Sequence, residues 1–114
     1  MKLETCLKVL QAKVVAGENY LDKEATSVFV GDLLSWVMAH GQENEIWISV
    51  QAHLNVLAVA SLKDFAAVII AQGAQIPQET IDKAKEEGIV LIQSDLSAYH
   101  IACKLYEAGI DNAL

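Results

Sequence analysis

The chain has 114 residues, 15 acidic against 8 basic, for a formal charge of −7. With 54% apolar residues and a mean hydropathy of +0.31, it is too hydrophobic for intrinsic disorder. It is also too acidic for a nucleic-acid binder, and all eight cations are lysines, so no arginine offers bidentate recognition of phosphate.

Residues 1–114 fit one domain, long enough to bury roughly 65% of the unfolded surface. The opening MKLETCLKVL lacks the apolar stretch of a signal peptide and places Leu3, Leu7 and Leu10 on one helical face. Lys13 to Ala16 follows as a short strand, closed by Gly17-Glu18-Asn19. Thr26 to Val30 (TSVFV) is the next strand, and Gly31-Asp32 opens a helix through Ala39, with Asp32 as N-cap and Gly41 just past the end. Leu33, Leu34, Val37 and Met38 supply the face that covers the sheet, while Trp36 points away from it.

Glu45 to Val50 (EIWISV) reads as a strand and Ala66 to Ala71 (AAVIIA) as one covered on both faces. Leu54 to Leu62, apolar nearly all round, lies between them. Parallel strands need a crossover, so this segment is expected to be a buried helix. Pro77 introduces a further helix, with Glu79 in its first turn and Gly88 as its stop. Ile89 to Gln93 is the last strand. Asp95 is placed as cap of a final helix, where Ala98, Ile101, Ala102 and Leu105 share a face. The alternation predicts an α/β fold: a three-layer domain with a mainly parallel sheet.

The segment LDKEATSVFVGDLLSWVMAH resembles a DRTGG domain. Asp22 stands for the aspartate, Lys23 replaces the arginine, and Thr26 stands for the threonine; Ser27 and Val28 occupy the places of two glycines. WISVQAHLNVLAVASLKDFAAVIIAQG and EEGIVLIQSDLSA are also similar to the family, so the resemblance spans residues 3–108. It implies a fold like the N-terminal domain of HPr kinase and a domain of some phosphate acetyltransferases. DRTGG domains also accompany CBS pairs in certain pyrophosphatases. In those settings the domain is regulatory or structural and the chemistry lies elsewhere, so the resemblance implies a stand-alone regulatory member here. Losing both glycines removes any close backbone approach they allow.

Ligands of open parallel sheets bind beyond the carboxyl ends of the strands. That rim would hold Gly31, Asp32 and Ser35, then Gln51, His53 and Asn55, then Gln72 and Gly73, then Ser94 and Asp95. The same residue types also serve as turns and caps. Gln51, His53 and Asn55 would share one side if their strand continued, either binding a small polar ligand or capping the next helix. The rim has no lysine, which points to a neutral or singly charged ligand, metabolite or nucleotide-like.

Phosphate-loop and dinucleotide fingerprints are absent, His40, His53 and His100 have no metal-ligand spacing, and no cofactor is expected. His100 and Cys103 stand one turn apart on the final helix and could touch. Cys6 and Cys103 read as reduced thiols of a cytoplasmic protein, without nucleic-acid or membrane partners. Three functions compete: a non-catalytic ligand-responsive module, a dimerisation or protein-docking module, and a small enzyme using His53 with Asp32 or Asp95. A homodimer anchored by Trp36 is expected, unless the N-terminal helix folds over that side chain.

Overall fold

The computed structural model describes residues 1–113. Helix α1 (Leu3–Leu10) leads into β1 (Lys13–Ala16), and a 3-10 turn at Glu18–Tyr20 precedes β2 (Ser27–Val30). Three strand-to-strand units follow: α2 (Leu34–His40) to β3 (Glu45–Ser49), α3 (Asn55–Lys63) to β4 (Ala67–Ile70), and α4 (Gln78–Glu87) to β5 (Leu91–Gln93). Helix α5 (Ala98–Glu107) closes the order. The segment at Leu54 to Leu62 is therefore helical, as parallel pairing requires.

The sheet order is β1-β5-β4-β3-β2; β2 to β5 are parallel, and β1 adds antiparallel to β5. Because each parallel strand lies beside its predecessor, successive crossovers of one hand stack α2, α3 and α4 on the same face. The period-2 alternation divides the core accordingly. Trp47, Val68, Ile70 and Leu91 face Val37, Val56, Leu57 and Ala84 of those three helices. Ile46, Ile48, Ile69 and Ile92 face Leu3, Cys6, Ile101 and Leu105 of α1 and α5. The result is an α/β fold of three layers.

Local chemistry fixes the joints. Gly17, at φ +85°, lets the chain pass so close to β5 that a Cβ would stand 2.7 Å from the Val90 Cα. Gly88 ends α4 in the left-handed conformation at φ 70°. The Trp47 indole N–H donates to the Gly31 carbonyl at 2.8 Å, so the largest buried side chain leaves no polar atom unpaired.

Several expectations are corrected. Asp32 does not cap α2: Leu33 holds that position without a side-chain bond, because the Asp32 carboxylate is engaged by β3. Asp95 does not cap α5, since the helix starts later and the Ser97 hydroxyl accepts the His100 N–H at 3.2 Å. The β3 strand ends at Ser49, so Gln51, His53 and Asn55 form a loop and helix start rather than an alternating comb. Helix α3 is not buried all round, with Leu62 74% exposed. On α2, a helix of seven residues, only Val37 is fully buried; Leu33 at its cap and Met38 are exposed, as is Trp36.

Candidate functional site

The loops after β2, β3, β4 and β5 meet at one end of the sheet, carried there by parallel pairing. The first two are tied by Asp32. Its Oδ1 accepts the Ser49 hydroxyl at 2.6 Å and the Val50 N–H at 3.0 Å. Ser49 is buried, and its oxygen accepts the Gln51 N–H at 3.1 Å. The Gln51 side-chain amide donates back to the Asp32 carbonyl at 3.3 Å. Asp32, Ser49 and Gln51 thus form one connected polar cluster across the ends of β2 and β3.

His53 lies beside that cluster. Its Nδ1 accepts the Asn55 N–H at 3.3 Å, so the neutral ring carries its proton on Nε2. His53 rather than Asn55 therefore serves the helix start, and the Asn55 side chain has no hydrogen bond among the described residues. The loop is held from the far side by Thr80, whose hydroxyl donates to the Ala52 carbonyl at 2.9 Å. Ser35 lies exposed in the first turn of α2.

A second cluster joins the ends of β4 and β5. Gln72 and Gly73 both have positive φ, which turns their N–H groups onto the Leu96 and Ser94 carbonyls at 2.8 and 2.9 Å. Ser94 is buried, and its hydroxyl accepts the Leu96 N–H at 3.1 Å. The Asp95 Oδ1 would sit 3.1 Å from any Cβ at position 73, so glycine suits that corner on two counts. A main-chain bond links the halves, Ala71 N–H to Ser49 O at 2.9 Å, and Ser94 N–H to Ile70 O at 3.0 Å ties β5 to β4. All the sequence-expected rim residues thus share one end of the sheet. No hydrogen bond connects His53 to Asp32 or Asp95 among the described residues.

The residues that stand for the DRTGG motif begin at the opposite, amino end of β2. Ser27 donates to Glu45 Oε2 at 2.6 Å, while Glu45 Oε1 accepts the Gln42 N–H at 2.6 Å, so this buried carboxylate has a donor on each oxygen. The Thr26 hydroxyl reaches the Asn44 carbonyl at 3.4 Å, and Lys23 places its ammonium 5.5 Å from the Tyr20 ring. Asp22 is exposed nearby, and Val28 packs into the core. A shallow depression of about 330 Å³, lined by Lys23, Thr26, Asn44 and Asp64, marks this end.

Another concavity lies at neither end. A groove of about 580 Å³ runs between β2 and α5, with Val28, Val30, Tyr99, Cys103 and Tyr106 among its walls. Sequence reasoning missed it, although Tyr99, Ala102 or Cys103, and Tyr106 recur at helical spacing. Interaction with the neighbouring Cys103 side chain, whose sulfur would accept the Tyr99 hydroxyl, raises the phenol above its ordinary value. His100 bonds Ser97 at 2.8 Å through Nδ1 and so pairs with the cap, not with Cys103. Both cysteines are free thiols. Among the described residues no cluster of three or more His, Cys, Asp or Glu could hold a metal, and no helix is long and apolar enough to cross a membrane.

No family model matches the sequence, and no curated protein matches it. Among solved structures, the chain is similar to the crystal structure of the CBS and DRTGG domains of the regulatory region of Clostridium perfringens pyrophosphatase, complexed with the activator diadenosine tetraphosphate. The TM-score is 0.73 at 18% identity, over 99% of this chain and 52% of that one. This chain therefore spans about half the length of that neighbour, and the likeness shows a shared fold.

Proposed function

We propose that residues 1–114 act as one DRTGG-like unit, a non-catalytic cytoplasmic regulatory module that binds a small polar ligand at the carboxyl ends of its strands. The observation that carries this reading is the Asp32–Ser49–Gln51 cluster, held rigid from two strands with its outer groups still free. The second Asp32 oxygen accepts, the Gln51 carbonyl accepts, and His53 Nε2–H donates, a set that fits a ligand with both amide-like donors and acceptors. Gln72, Ser94 and Asp95 complete the rim on the neighbouring strands. The neighbour's regulatory region takes a dinucleotide polyphosphate activator, which supports a ligand-responsive role for a domain of this fold. This rim has no cation to match such a charge, so the ligand here is neutral or singly charged, in the class of nucleosides and polar metabolites.

Thermal shift against a panel of nucleosides, nucleotides and polar metabolites tests it. A ligand present at a hundredfold its Kd adds about 2.7 kcal/mol to the native state, and Gln51→Ala and His53→Ala should cancel that gain. Tight binding of a nucleoside triphosphate that ignores His53→Ala overturns the site and the charge limit together.

A second reading, a homodimerisation module, has its own observation. Trp36 is 59% exposed, stacked on His40 at 4.1 Å between ring centroids, with Leu33 exposed beside it. Helix α1 packs on the other face of the sheet and cannot cover it. A two-fold contact would bury this patch in a second copy.

A further inference from the structure

The β2–α5 groove combines three features. Its floor is a free sheet edge. Gly31 N–H donates to Ile48 O at 3.2 Å, and pairing alternates along a parallel strand, so Phe29 and Gly31 turn to β3. Val28 and Val30 therefore turn their N–H and C=O groups outward, where no strand follows β2 in the sheet order. Ser27–Val30 also carries no charge, proline or bulge, the devices that normally blunt an exposed edge.

The wall is aromatic and open. Tyr99 and Tyr106 are 72% and 55% exposed, and Val30 is 52% exposed below them. The rim is anionic: Glu107 and Asp111 line the groove, and neither has an ion-pair partner among the described residues.

We propose that this groove receives an extended peptide segment of a partner protein, added as a further strand on β2. Its backbone would pair with Val28 and Val30, alternate apolar side chains would lie on Tyr99 and Tyr106, and a lysine or arginine would sit beside Glu107 and Asp111. Strand addition supplies affinity through the main chain and specificity through every second side chain. Charge decides against a second copy of this chain as occupant. An opposing β2 would bring no cation and would crowd carboxylates from both copies along one seam.

The test uses the full chain and an end-capped fluorescent peptide of valine-lysine repeats, titrated by anisotropy at about 0.15 M ionic strength to screen distant charge. Saturable binding is expected, with the Val28 and Val30 amide resonances shifted and slowed in hydrogen exchange. Reversing the rim with Glu107→Lys and Asp111→Lys should weaken binding at least tenfold. The same peptide N-methylated on its β2-facing amides should not saturate, a control that leaves the protein's fold untouched. The proposal is overturned if no saturable binding occurs, if a valine-glutamate peptide or the N-methylated one binds equally well, or if the two amides do not respond. Concentration-dependent protection of those amides without peptide also overturns it, and assigns the edge to a second copy.

Discussion

The two faces of the sheet are covered by different numbers of helices, and the difference explains where this molecule is left exposed. Five strands about 4.8 Å apart make a floor roughly 20–24 Å wide. Three helices spaced 8–10 Å apart more than cover it, and two do not. On the crowded face α2 reaches the margin with only Val37 fully buried, so Leu33 and Trp36 remain in water. On the sparse face α1 and α5 leave a gap above β2, and that gap is the groove. An overhang on one side and a shortfall on the other thus follow from one mismatch of widths.

If both layers belong to one cooperative unit, removing a large core side chain from either should lower the same transition. Trp47→Ala on the crowded face is expected to cost about 3–5 kcal/mol, and Leu105→Ala on the sparse face about 2–5 kcal/mol. Urea unfolding followed by circular dichroism and tryptophan fluorescence checks this; separate transitions for the two probes would break the layers into independent parts. Next in size is Asp32→Ala, which strips the buried Ser49 hydroxyl of its acceptor and should cost about 1–3 kcal/mol without changing the m-value.

A smaller effect belongs to the sparse face alone. Burial raises the Cys6 thiol above its ordinary value of 9.0. The folded state therefore keeps a proton that the unfolded chain releases near that pH. Stability from this site is full below 9.0 and declines as the pH rises through it, by at most about 1.4 kcal/mol per unit. Comparing wild type with Cys6→Ala between neutral and alkaline pH isolates the slope, which should flatten in the variant. The smallest change in stability, within about 0.5 kcal/mol, is expected for Trp36→Glu on the overhang. Light scattering should nonetheless show a wild-type dimer converted to monomer; a monomeric wild type would leave the overhang without a partner copy.

Much of this architecture is legible in the chain because IWI and AVII are continuous apolar runs, the pattern of strands covered on both faces. The placement of polar residues at the carboxyl rim follows from the same parallel order. What each polar residue does there is not legible. Asp32 and Ser97 are both plausible caps by type, and only the third dimension shows that Ser49 recruits the first while the second bonds His100. The groove is hidden for a similar reason: Val30 and Tyr99 are distant in sequence and meet only through the path of α5. The DRTGG-like segment is visible as a string of residues, but the separation of Asp22 to Ser27 from the rim depends on the direction of β2.

The antiparallel strand at the sheet's far margin has a consequence for synthesis. Each parallel neighbour is reached after one short crossover, whereas Lys13 must wait for Gln93. On the ribosome β2, β3 and β4 can pair as they emerge, but β1 has no seat until β5 leaves the exit tunnel, and α5 docks last. Through that interval the isoleucines at 46, 48 and 69 lack the α5 side chains that cover them in the finished fold. A circular permutant that moves α1 and β1 behind α5 would shorten the wait and should refold faster than the natural order.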